Sequence, residues 1–370
     1  MTNIKDSYSA ARKIYEPFIL PSIKEYIEPP SDFSEKRDAN INRLSLNSLE
    51  ISSVSMPKIE NLLIDVCHRL KIDRQLISAF VFPKTDIEAF AYSNKVPITI
   101  GISAGAIQRL SSEQLRFVIG HEIGHGLIGS IINYNQNSKT LEDFIFARGM
   151  EISADRIGLI AASEIEHATK AILISLSGLD ESFLEGHNIS KILQGNFETT
   201  EDDLYSAHPP LIFRLDALYN LSICREYNDL VGKQNTSTIK LETVNKNIAD
   251  SLEKKVDKIA MKKIKKNMED FIIWPLTLLI LNQVKVDMSN ISDTLNIKVL
   301  KEDVLKAFNF VNTYSDFEKP DVLYEKIVTG FKSCQSIAPR QLSQFHELFS
   351  KLFPTILYLN KEFIKSSISR

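Results

Sequence analysis

Two histidines four residues apart, in His121-Glu122-Ile123-Gly124-His125, are the side chains of this sequence best placed to do chemistry. On a helix, positions i and i+4 lie on one face, so both imidazoles can offer a nitrogen to a single ion, and zinc accepts such ligands. Glu122 lies one residue around the helix, where it would reach a zinc-bound water and not the metal. It could take the proton of that water as the oxygen attacks a carbonyl. With seven histidines in 370 residues, the pattern arises by chance in on the order of one chain in a hundred of this size. Two ordinary histidines on a surface helix are the alternative.

A catalytic zinc usually takes three protein ligands and keeps its fourth position for water. Ser130 to Ile132 contain no histidine, which argues against the plan in which a third His follows shortly after the first pair. The other plan places a glutamate on a second helix. Glu151 opens Glu151-Ile152-Ser153-Ala154-Asp155, and Asp155 falls at i+4 on the same face. If Glu151 binds zinc, Asp155 can accept a hydrogen bond from the distal nitrogen of a ligand histidine, fixing its tautomer and raising its basicity. Taken alone, such a pair is ordinary solvated surface. Following the histidine motif by a short loop, Glu151 is the candidate third ligand.

Helices must hold these groups. Ser111 and Gln114 stand at capping-box spacing, and Leu115, Val118, Ile119, Ile123 and Leu127 continue the helical period, which puts both histidines in mid-helix. A polar loop near 133–139 precedes a helix expected from about Leu141 to Ala162, carrying Glu151 and Asp155. Upstream, Pro57 opens a helix with Ile59, Leu62, Leu63, Val66 and Leu70 on its stripe. Short strands are expected at Ala79–Phe82, Glu88–Tyr92 and Pro97–Ile100. Downstream, a helix covers much of Ala168–Leu176. His208-Pro209-Pro210 then forces an extended start before the helical Leu211, Leu215, Leu218 series.

The fold class is α+β and mostly helical, with a small mixed sheet. Residues 1–55 read as a helix and an irregular arm, 56–235 as the domain that holds the site, and 236–370 as a helical C-terminal region. That region starts with a long stripe of Leu241, Val244, Ile248, Leu252, Val256 and Ile259, and includes further helices at Val304–Val311 and Leu342–Leu357.

Three ordered blocks carry a family resemblance: His121 to His125, then Arg148-Gly149-Met150-Glu151-Ile152-Ser153-Ala154-Asp155-Arg156, then His208-Pro209-Pro210 with Arg214. Together, over roughly 55–222, they resemble zinc metallopeptidases of the HtpX and CAAX prenyl protease type, metallopeptidase family forty-eight. The resemblance implies a zincin-like core of the gluzincin kind. It also implies one Zn2+ per chain on His121, His125 and Glu151, Glu122 as general base, and Asp155 as the partner of a ligand. By itself His208 would cap a helix or fill a core contact; beside a zinc it could hydrogen-bond the oxyanion of an attacked carbonyl. Arg214 could orient an acidic residue of the site, contact substrate or form a plain surface ion pair. Arg148 is assigned no role. Ala89-Phe90-Ala91-Tyr92 resembles the family strand that precedes the zinc helix, whose edge could pair with an extended peptide, or it is plain core strand. The best-known relatives carry transmembrane helices around the zinc helix. Here Gly126 to Met150 has only the apolar piece Leu127–Ile132 and then a polar loop, so the expected likeness is to soluble members, without prenylated substrates.

Composition supports an ordinary globular chain: hydrophobic residues make up 44% and charged ones 25%. A net charge of −3 gives no global reason to meet nucleic acid. Three distant cysteines suggest neither a disulfide framework nor a thiolate metal site, and with no apolar signal segment at the start the expected location is cytoplasmic. The run Phe271–Leu281 holds Pro275 and is about half of the roughly 20 residues that cross a bilayer. Seven lysines between Lys254 and Lys266 alternate with Val256, Ile259, Ala260 and Ile264, as on a solvated helix face. A serine or cysteine nucleophile finds no support, since no G-x-S-x-G occurs and Cys67 and His68, adjacent on a helix, point apart. Two functional classes follow. One is a zinc endopeptidase cutting peptide or unfolded protein. The other is an inactive or autoinhibited regulatory protein of the same fold, acting through its C-terminal helices, with residues 236–370 serving self-association or a partner.

Overall fold

The computed structural model describes residues 3–33, 39–132, 139–184, 200–234, 237–264 and 266. The chain forms two compact units, Met1–Asn137 with Asp143–Lys258, and Ser138–Glu142 with Ile259–Arg370. Of the second, residues 139–142, 259–264 and 266 are described, and Ala260 and Ile264 are buried. The helices expected at Val304–Val311 and Leu342–Leu357 and the Phe271–Leu281 run lie outside the described residues.

The first unit starts with α1 (Ile4–Tyr15), capped by the Asn3 side chain, and a 3-10 turn at Pro21–Tyr26 that leads into β1 (Ile27–Glu28). After α2 (Ala39–Leu46) and β2 (Leu49–Glu50) comes α3 (Pro57–Arg69), whose first turn holds Pro57, where the missing N–H costs nothing. Three strands follow: β3 (Ile77–Phe82), β4 (Ala89–Tyr92) and β5 (Ile98–Ser103). With β2 they form a mixed sheet in the order β2-β3-β5-β4. β3 and β5 run parallel from Ile77↔Ile98 to Phe82↔Ser103, and β4 is antiparallel to β5 from Ala89↔Ile102 to Tyr92↔Thr99. β5 is buried at every position, its Ile98, Ile100 and Ile102 alternating with the small Thr99, Gly101 and Ser103; β4 is half-buried and forms an edge.

The short α4 (Ala104–Arg109) leads to α5 (Ser112–Ile128), the helix that bears the two histidines. Its start is the capping box expected from the sequence: Ser111 Oγ accepts from Gln114 N at 3.3 Å, and Gln114 Oε1 accepts from Ser111 N at 2.9 Å. Most of α5 is buried, so its apolar residues surround it instead of forming one stripe. Two glycines on it allow a neighbour unusually close. A Cβ on Gly120 would lie 2.5 Å from Ala161 Cβ, and one on Gly124 would lie 3.1 Å from Ala154 Cα. The neighbour is α6 (Leu141–Ala162), and the contact brings Glu151 and Asp155 opposite the histidines.

Gly129 ends α5 with φ +102°, its N–H donating to the His125 carbonyl at 3.0 Å. The chain then enters β6 (Ser130–Ile131), which pairs antiparallel with β1 through Ile27↔Ile131 and Glu28↔Ser130. A Cβ on Gly129 would lie 2.0 Å from the Glu28 carbonyl oxygen, so only glycine permits both the turn and this approach. The arm is held to the same helix by Tyr8, whose hydroxyl donates to the Gly126 carbonyl at 3.0 Å.

Further helices of the first unit are α7 (Ile165–Ser177), α8 (Leu211–Ser222), α9 (Arg225–Leu230) and α10 (Leu241–Ser251), the last packing on α8 and α9. The stripe expected to run unbroken from Leu241 to Ile259 is interrupted by a π-turn at Leu252–Val256. Asp257 is the reason. Its N–H donates back to Leu252, and its buried carboxylate accepts from Arg148 Nε at 2.7 Å and pairs with a terminal nitrogen at 2.6 Å. Arg148 also donates to the Ser206 carbonyl at 2.6 Å, two residues ahead of His208. Exposed Lys254, Lys255 and Lys258 beside buried Leu252 and Val256 form the solvated face expected of the lysine run.

Candidate metal centre

The structure brings His121, Glu122, His125, Glu151, Asp155, His208 and Arg214 into one cluster. His121 Nε2 and His125 Nε2 are 3.1 Å apart, His121 Nε2 is 3.6 Å from Glu151 Oε2, and His125 Nε2 is 3.3 Å from Glu151 Oε1. A tetrahedral zinc with bonds of about 2.0–2.1 Å separates its ligand atoms by about 3.3–3.4 Å. The closest approaches of the three side chains lie near the edge lengths such an ion requires, the two histidines facing different oxygens of Glu151. Among the described residues they form the one group of this kind.

Their electrostatics agree. Burial opposes the charge on Glu151, but His125, His208 and His121 outweigh it and hold the carboxyl well below the usual range. Burial also lowers the proton affinity of His125; the Glu151 charge and hydrogen bond more than reverse this, leaving it at about 9. A carboxylate held ionised between imidazoles that compete for a proton suits a cation. The Glu151 Oε2 atom is buried and lies 2.9 Å from His208 Nδ1 without a well-aligned hydrogen bond.

Orientation comes from the next residues out. Asp155, fully buried, lies 2.9 Å from His121 Nδ1. Accepting that proton fixes the tautomer that leaves the Nε2 lone pair for a metal. Burial raises the pKa of Asp155, and the Arg214 guanidinium reverses the shift by donating from Nε at 2.8 Å and a terminal nitrogen at 2.6 Å. Of the three readings open for Arg214, the geometry is that of orienting an acid.

Glu122 is 7% exposed, and its carboxylate makes no hydrogen bond among the described residues. Burial raises its pKa despite His121 and His125, which makes it a better proton acceptor than an ordinary glutamate. His208 is exposed, on the extended stretch before α8, and the nearby Glu151 carboxylate raises its pKa.

The cluster opens into a cleft of about 810 Å³ lined by His125, Glu151, Met150, Tyr92, Ala91 and Glu28, among others. The edge strand β4 forms part of this lining. Sequence reasoning gave no role to Arg148 or Glu28. The position of Glu28 follows from the β1–β6 pairing, and a two-residue strand before Pro29 and Pro30 has no period to read.

Residues 56–136 match the family model described as peptidase family M48. The match contains His121, Glu122 and His125, ends before Glu151, and supports kinship with the M48 metallopeptidases and hence a peptidase chemistry. No curated protein and no solved structure matches the chain. Among the described residues, no helix is long and apolar enough to cross a membrane.

Proposed function

We propose that this chain is a zinc endopeptidase that hydrolyses peptide bonds of extended peptides or unfolded protein. The observation that carries this reading is the convergence of His121, His125 and Glu151 at ligand-edge distances beside a buried carboxylate, Glu122. Zinc held by those three residues would supply Lewis-acid activation of water and of the scissile carbonyl. Glu122 accepts the proton of the attacking water and returns it to the leaving amine. His208 donates a hydrogen bond to the oxygen that gains charge as the carbonyl is attacked. Asp155, gripped by Arg214, keeps His121 in the liganding tautomer. Substrate main chain pairs with the free edge of β4.

Purified protein is expected to hold about one zinc per chain by elemental analysis. Glu122→Gln retains that zinc and loses about 10²–10⁴-fold in cleavage of a disordered protein substrate. Equal inertness of zinc-loaded wild type and Glu122→Gln across a broad peptide library would sink the enzymatic reading and leave the regulatory one.

A further inference from the structure

The cleft wall contributed by the N-terminal arm carries a charge that the chemistry does not use. Of the residues lining the cleft, only Glu28 and Glu151 are charged carboxylates, and none is lysine or arginine. Glu151 is committed to the metal cluster. The Glu28 side chain is exposed and makes no ion pair among the described residues. Its backbone is fixed by the Glu28↔Ser130 register and by the close approach to Gly129 at the end of α5. The backbone that bears this carboxylate is therefore anchored at the end of the helix that carries His121 and His125.

The same cleft presents Ala91 and Tyr92 from β4 and Ala147 and Met150 from α6, alongside the neutral polar residues Asn40, Ser93, Asn94 and Ser130. An acid at one place and aliphatic or aromatic walls beside it match a side chain with a methylene stem and a cationic head. Tyr92 adds a ring face for that cation. We infer that Glu28 is a specificity-determining residue, selecting peptides with a lysine or arginine near the scissile bond. This rests on the peptidase reading for its substrate, and extends it from peptides in general to basic ones. Glu28 lies outside the matched segment 56–136, so the family match does not supply it.

The test separates binding from cleavage. Fluorescent peptides of neutral residues, each with one lysine at a different position, are titrated onto zinc-loaded Glu122→Gln protein, with acetyl-lysine and glutamate at the same positions as controls. At low salt, one lysine position should bind on the order of tenfold more tightly than its acetyl-lysine control. Adding Glu28→Gln should bring that ratio close to one, and Glu28→Lys should turn the preference toward glutamate. Thermal unfolding checks that both variants fold, as expected for an exposed side chain whose β-pairing is made by main chain. In zinc-loaded protein with Glu122 intact, the same ratio should reside in KM and not in kcat. A ratio that Glu28→Gln and Glu28→Lys leave unchanged, or no binding of any peptide, overturns the inference. Peptides selected through Glu28 but never cut would overturn the enzymatic reading alone, and Glu122-dependent cutting without Glu28 dependence would overturn this one alone.

Discussion

Asp155 has two partners in this structure, and each asks something different of it. To His121 it offers an acceptor that fixes the proton on Nδ1; from Arg214 it receives two hydrogen bonds that hold its own oxygens in place. Replacing Asp155 by Asn should weaken zinc binding by about 10–100-fold, measured by competition with a chromophoric chelator. Arg214→Lys should weaken it too, because an ammonium cannot reproduce a planar two-point grip. Affinities equal to wild type in both variants would mean that the chain of contacts does not reach the metal. At this scale the sequence is informative, since i, i+4 spacing on a helix is a geometric statement in itself. It places His121 with His125 and Glu151 with Asp155. It could not place one pair against the other, nor bring His208 to Glu151, because those distances depend on how α5, α6 and the start of α8 pack.

At the scale of elements, packing turns on positions where side chains are missing. Gly129 combines φ +102° with a Cβ position 2.0 Å from the Glu28 carbonyl, whereas Gly178, with φ +68°, has nothing within 4 Å. Gly178→Ala should therefore cost only the left-handed backbone penalty, about 1–2 kcal/mol. Gly129→Ala should cost clearly more in urea unfolding and disturb the β1–β6 pairing as well. Equal costs would show that β1 yields freely. The start of α5 and the span of α6 were legible, since the Ser111–Gln114 box and the apolar period are local signals; the end of α5 at Ile128, ahead of the polar loop, was not. β1 was not, because two residues between a 3-10 turn and two prolines become a strand only when β6 supplies the partner. The π-turn at Leu252–Val256 was equally hidden, being set by the distant Arg148.

For the molecule as a whole, the Arg148–Asp257 pair joins the helix of Glu151 to the segment after α10 and to the stretch before His208. Burial raises the Asp257 pKa to about 6, with the Arg148 charge opposing. The unfolded value is about 3.9, so folding takes up a proton between roughly pH 4 and 6, and stability from this group falls as pH rises through that window, then levels off. Asp257→Asn abolishes that slope, so its stability relative to wild type should rise from pH 4 to 6 in denaturant titrations; a flat difference would contradict the assignment. Arg148→Met, which leaves the acid buried without its cation, should cost about 3–5 kcal/mol near neutral pH and less at pH 5. The tie between Tyr8 and Gly126 also spans 118 residues, so at a synthesis rate of roughly 5–20 residues per second Tyr8 emerges roughly 6–24 s before its acceptor. Tyr15 meets its acceptor on Leu70 sooner, whereas the main-chain partners of Phe18 and Leu20, Arg156 and Ser153, emerge later still, so the apolar arm waits in water for most of the domain to be made.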